Sequence, residues 1–154
     1  METLERLLLG HPFFAGIDPA LGRTLVGCAR NLRFAPDAFL FHEGDAADEF
    51  FLIREGTVAL ELHVPARPPL VIATLGEGEM VGASWLVAPY RWTFDARAMT
   101  PVRAFGVDAR CLRDKCEADH HLGYELMKRL LPVMVGRMQS ARQQLLDVYG
   151  HAAG

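Results

Sequence analysis

Residues 84–97, SWLVAPYRWTFDAR, place two tryptophans, a tyrosine, two arginines and an aspartate within one short stretch. Aromatic rings stack on planar groups and a guanidinium takes an oxyanion through paired hydrogen bonds, so this composition suits a planar or anionic ligand. The same residues admit a second reading. In it Trp85 and Trp92 fill an interior, while Arg91 or Arg97 pairs with Asp95 or a helix end. Arg91 stands open between the two.

Other reactive residue types are too sparse or wrongly spaced to make a site. His120 and His121 follow Cys116, but neighbouring helical residues point about 100° apart and further ligands are missing at metal-binding spacing. A solvated helix start accounts for them, and no metal is expected. Cys28, Cys111 and Cys116 are an odd number without a CxxC pair, which fits reduced cytosolic thiols better than a disulfide framework. Cys111 and Cys116 read as packing residues. Three cysteines also exclude a four-cysteine iron–sulfur cluster within one chain. The pair His42-Glu43 and the isolated His63 do not supply the HxH strand motif of a metal-binding cupin. Nucleophile elbow, P-loop and dinucleotide fingerprint are all absent, so the chain is expected not to be an enzyme.

The whole chain sets further bounds. Its 154 residues suit one domain with a sizeable core. The formal net charge of −3 gives no general attraction to nucleic acid or anionic membrane. No run approaches the roughly 18 apolar residues of a membrane span, and METLERLLLGHPFF lacks the basic start and cleavage site of a signal peptide. A cytoplasmic protein is expected.

These residues must be positioned by two kinds of element. Residues 3–9 and 18–30 read as short helices, the second capped by Asp18 with Pro19 in its first turn and joined to the first by HPFFAGI. From residue 31, the punctuation APD, EGD, REG, PARPP and GEGE separates runs rich in Phe, Val, Leu and Ile, the pattern of closely spaced strands. FLFHEG, EFFLIREG, TVALELHV, LVIATLGEG, WTFDARAM and VRAFGVD are the expected strands. PARPP is the expected hairpin loop, and the alternation in TVALELHV predicts one buried and one wet face. A helix capped by Asp108 follows, then a helical pattern from about 119 to 149. Its stripe comprises Leu122, Leu126, Leu130, Val133, Met134, Met138, Leu145 and Val148, with a kink or two abutting helices expected at Pro132 and Gly136.

The order of parts, together with FHEGDAADEFFLIREGTVAL and LGEGEMVG, resembles the cyclic-nucleotide-binding domain of catabolite-activator-type regulators over nearly the whole chain. Gly44, Gly56, Gly78 and Gly82 stand at that family's turn positions, where positive φ or close backbone approach excludes a Cβ. The resemblance implies an α+β, mainly β fold. One domain spans 1–154, with N-terminal helices at 1–30, a jelly-roll-like β-roll at 31–107 and C-terminal helices at 108–150 that include a long dimerisation helix.

The resemblance also implies a phosphate-binding cassette at VGASWLVAPYRWTFDARA, in which a glutamate takes the ribose and an arginine the cyclic phosphate. Gly82, Ala83, Ser84, Trp85, Arg91, Trp92 and Thr93 are its candidate residues. Ala83 stands where the glutamate belongs, Trp92 where the arginine belongs, and Thr93 at the small-hydroxyl position, with Arg91 one place early. A one-residue shift on a strand reverses the side faced, so Arg91 is expected to point away unless a bulge at Pro89-Tyr90 turns it. Near the helix residues that contact adenine in the family stand Met138, Ser140, Ala141 and Arg142, with Ala141 and Arg142 at the contact positions. These departures argue against ordinary cyclic AMP recognition.

The expected function is therefore a stand-alone sensor domain for a cyclic nucleotide or other small anionic ligand. It would signal through a helix-mediated homodimer to a protein partner. The alternatives are a ligand-free interaction module with a plugged pocket, and a redox- or haem-linked sensor. The sequence ends DVYGHAAG without a helix-turn-helix, so direct DNA binding is not expected.

Overall fold

In a computed structural model, which describes residues 4–153, eight strands form two four-stranded sheets. Helix α1 spans Leu4–Leu9, and α2 spans Pro19–Val26 with the Asp18 carboxylate accepting from the Ala20 amide at 2.9 Å. Residue 3, expected in the first helix, lies outside the described residues. The second helix ends four residues before its expected limit, because Ala29 and Arg30 enter strand β1, Ala29–Phe34. The connector between the helices is a 3₁₀ turn, Pro12–Phe14.

Strands β2 (Phe39–Phe41), β3 (Glu49–Glu55), β4 (Val58–Leu62), β5 (Leu70–Leu75), β6 (Met80–Val81), β7 (Asp95–Ala98) and β8 (Val102–Asp108) complete the roll. One sheet runs β1-β8-β3-β6 and the other β2-β7-β4-β5, all pairs antiparallel. PARPP lies in the β4–β5 hairpin loop as expected. Strands β1 and β6 were not among those expected. The first is largely exposed and charged, the second only two residues long.

β4 does not have a wet face. Val58, Ala59, Leu60 and Glu61 are all buried, and Glu61 is tolerated there because Arg97 Nε donates to its carboxylate at 2.7 Å. The core lies between the sheets and continues under the helices, through Phe14, Leu25, Phe50, Leu52, Ile53, Trp85, Phe105, Leu112, Leu122 and Leu126. Gly44, Gly56, Gly78 and Gly82 all adopt positive φ, between 86° and 97°. At Gly56 a Cβ would also stand 2.3 Å from the Pro101 carbonyl, so both conformation and space demand glycine.

Helix α3, Ala109–Ala118, opens on Asp108, whose carboxylate accepts from the Cys111 amide. Helix α4 is continuous from His120 to Ala153 rather than two abutting helices, with Pro132 inside it. The single expected stripe on α4 is two. Leu122, Leu126, Leu130 and Val133 pack on the domain, whereas Met134, Met138, Leu145 and Val148 are exposed with Tyr124, Met127 and Leu131. Cys28 and Cys111 form a disulfide, with Cα atoms 5.9 Å apart, which corrects the reading of three reduced thiols. Residues 83 apart in sequence meet because β1, which follows Cys28, pairs with β8, which precedes Cys111: Ala29 lies opposite Val107 and the Asp108 amide donates to the Cys28 carbonyl at 2.7 Å, a proximity that spacing alone did not carry. No helix among the described residues is long and apolar enough to cross a membrane.

Candidate functional site

The cassette region is shaped by the loop that follows β2. His42–Ala47 wraps residues 90–92. Gly44 N donates to Trp92 O at 2.8 Å, Trp92 N to Asp45 O at 3.0 Å, and Ala47 N to Tyr90 O at 2.7 Å. Tyr90 enters this segment in the left-handed conformation, at φ 56°, and from Arg91, which bridges Ala46, successive side chains point to opposite sides.

Trp92 accordingly turns inward and is 3% exposed, its ring stacked on Phe41 at 3.9 Å between centroids. Arg91 turns outward and donates to the Gly44 carbonyl at 3.1 Å. The Trp92 ring also lies over Gly82, where a Cβ would meet it at 2.5 Å. Positive φ and the indole both exclude a side chain there, so Gly82 and Trp92 are fitted to each other.

Ala83 precedes a 3₁₀ turn, Ser84–Leu86, and makes no side-chain cap. Trp85 of that turn is fully buried and stacked on Phe50 at 4.7 Å. Ser84 is half-buried and Thr93 exposed, and both border a small cleft of about 290 Å³ with Ala83, Met134 and Arg137. Neither arginine of the motif pairs with Asp95. Arg97 binds Glu61 and Asp37, while Asp95 accepts from the Glu43 amide at 2.7 Å.

Two further arginines complete the region, and neither was singled out from the sequence. Arg113 of α3 donates to the carbonyls of Trp85 at 2.5 Å and Ala47 at 3.3 Å, and its guanidinium lies 4.3 Å from the centre of the Tyr90 ring. It therefore ties the 3₁₀ turn, the wrapping loop and the cassette's end to the helix leading into α4. Arg137 of α4 reaches the roll and donates to the Met80 carbonyl. Burial pushes its pKa down, opposed by the charge of Glu79. The signal for Arg137 was its place one turn after Val133 on the inward stripe, a basic residue where the pattern asks for an apolar one.

Of the helix residues proposed from sequence, Met138, Ser140, Ala141 and Arg142 are all exposed, and Ser140 borders a larger cleft beside β5. The residue from this part of α4 that enters the roll beside the cassette is Arg137, one turn before Ala141.

The family model of the cyclic nucleotide-binding domain matches residues 31–119. Among curated proteins, the CRP-like cAMP-activated global transcriptional regulator of Mycobacterium tuberculosis is 25% identical over 145 residues, covering 94% of this chain. The chain spans 63% of that relative's length. Among solved structures, a Geobacter metallireducens protein described as cyclic nucleotide-binding is 28% identical with a TM-score of 0.78, over 90% of this chain and 99% of that one. A cAMP-binding acyltransferase from Mycobacterium smegmatis is 26% identical with a TM-score of 0.64, over 81% of this chain and 39% of that one. With the roll and the glycine turns in place, the chain belongs to the cyclic nucleotide-binding domain family.

Proposed function

We propose that this chain is a regulatory sensor domain whose cassette has lost the contacts of ordinary cyclic-nucleotide recognition. In this reading it responds to a small anionic ligand and signals through a homodimer of α4 to a protein partner. The observation that carries it is Trp92, stacked on Phe41 and packed over Gly82 where the resemblance puts a phosphate-binding arginine. An indole offers one donor and no charge, and Ala83 accepts nothing from a ribose. Each lost hydrogen bond costs on the order of 1 kcal/mol, more for a charged partner. No catalytic role is proposed. The buried Trp92 also favours a second reading, a ligand-free interaction module on the same scaffold.

The α4 homodimer is supported by the outer face of the helix. Tyr124, Met127, Leu131, Met134, Met138, Leu145 and Val148 are exposed and follow alternating steps of three and four, interrupted only by Ala141 in the same register. That spacing is the one a two-stranded coiled-coil seam requires, and Met138, 67% exposed, is wet in a single chain.

Calorimetric titration with cyclic AMP and cyclic GMP tests the cassette reading. The wild type is expected to give no binding heat, and the Ala83→Glu, Trp92→Arg double variant to gain binding. Tight wild-type binding lost in Thr93→Val would overturn it.

A further inference from the structure

The inner face of α4 changes character as it passes the roll. Leu122, Leu126, Leu130 and Val133 pack on the domain, and the same stripe then continues as Arg137, Ser140 and Gln144. These three border an open cleft of about 740 Å³, lined elsewhere by β5, the turn at Gly78–Met80 and the 3₁₀ turn at Pro12–Phe14. The volume is that of a small-molecule site. Its far end is held by Gln144, whose side-chain amide donates to the Ile72 carbonyl at 2.8 Å.

Arg137 is the unusual member of this wall. Its Nε is buried without a hydrogen-bond partner, and among the described residues no carboxylate stands within ion-pair distance of it. The acidic side chain on the cleft, Glu79, is engaged by the Gly76 amide at 2.6 Å. Arg129, two turns earlier on the same wall, pairs with Glu125 at 2.7 Å yet also leaves its Nε buried and unpartnered. Arg137 donates to the Met80 carbonyl and feels the charge of Glu79, which offsets only part of the burial penalty, so an anion that accepts from the orphaned Nε would remove the remainder.

We propose that the cleft between α4 and β5 is an oxyanion site, in which Arg137 holds the phosphate or carboxylate group of a small ligand and the cleft holds the remainder. This rests on the reading that the cassette no longer supplies the anion contact. It moves that contact from the roll to the long helix, so that ligand binding would act on α4 directly.

The test is thermal denaturation of the full chain against rising inorganic phosphate and, separately, acetate, at constant ionic strength. The wild type is expected to show saturating stabilisation with at least one anion. In Arg137→Gln the apparent affinity falls by about tenfold or more, the loss of a charge-assisted hydrogen bond. Gly136 borders the cleft, and a Cβ there meets nothing within 4 Å, so Gly136→Phe fills the cleft with Arg137 intact and is also expected to abolish saturation. That variant carries the test should Arg137→Gln fail to fold. Saturation by phosphate alone or acetate alone identifies the anion class. A merely linear rise shared by all variants is the general effect of an excluded salt and overturns the proposal. So does saturation unchanged in both variants. Neither result touches the cassette reading, which the cyclic AMP titration of the Ala83→Glu, Trp92→Arg variant decides separately.

Discussion

At the scale of single residues, Trp92 and Arg113 make the contacts that hold the candidate cassette segment. Trp92→Ala empties a site between Phe41 and Gly82 and is expected to cost about 3–5 kcal/mol in urea denaturation. Arg113→Met keeps much of the side-chain bulk and removes the donors to Trp85 and Ala47, with an expected loss of about 1–3 kcal/mol. Retention of full stability in that variant would show that the cassette is not held from α3. The opposite facing of Trp92 and Arg91 follows from alternation, a local rule, but the sequence left Arg91 open because a bulge at Pro89-Tyr90 could have turned it. Arg113 was not, because its partners lie 28 and 66 positions away and neither contact has a sequence period.

At the scale of elements, the N-terminal segment is clamped to the roll by His11. Its Nε2 donates to the Ile53 carbonyl at 2.9 Å while Nδ1 accepts from the Phe13 amide at 3.1 Å, an arrangement that requires the neutral ring. Burial lowers its pKa below 6.5, with the Ile53 hydrogen bond acting in opposition. The unfolded chain therefore binds the proton more readily. The contribution of His11 to stability is fully present above about pH 6.5 and is lost as pH falls from there through the lower folded value. Urea midpoints measured across that window should fall with acidification, and His11→Gln should flatten the dependence. The Cys28–Cys111 disulfide is a second clamp, closing a long segment between α2 and α3. Cys28→Ser is expected to cost about 2–4 kcal/mol, and dithiothreitol should lower the wild type to the same stability and leave the variant unchanged.

At the scale of the whole molecule, the β-roll and its flanking helices were readable because turn residues and apolar runs are local signals, as Gly56 and the PARPP hairpin illustrate. The division of α4 into inner and outer stripes was less so. Met134 and Leu130 fall on neighbouring rows of one helix, and only the packed roll decides which row is covered. The outer row yields a quantitative expectation. In sedimentation velocity the wild type should run as a dimer and Leu131→Glu, Met138→Glu as a monomer with an unchanged far-ultraviolet spectrum, since both positions are exposed in the single chain. A monomeric wild type at all concentrations would overturn the proposed α4 homodimer.

Whether an indole occupies the place of a phosphate contact can be read from the fluorescence of Trp92 alone. The chain has two tryptophans, so Trp85→Phe isolates it, and the replacement ring can keep the stack on Phe50. The expected emission is blue-shifted, is not quenched by iodide and does not change with cyclic AMP. A water-exposed spectrum, or a red shift that saturates with cyclic AMP, would mean that the ring yields to the nucleotide and would contradict that occupancy.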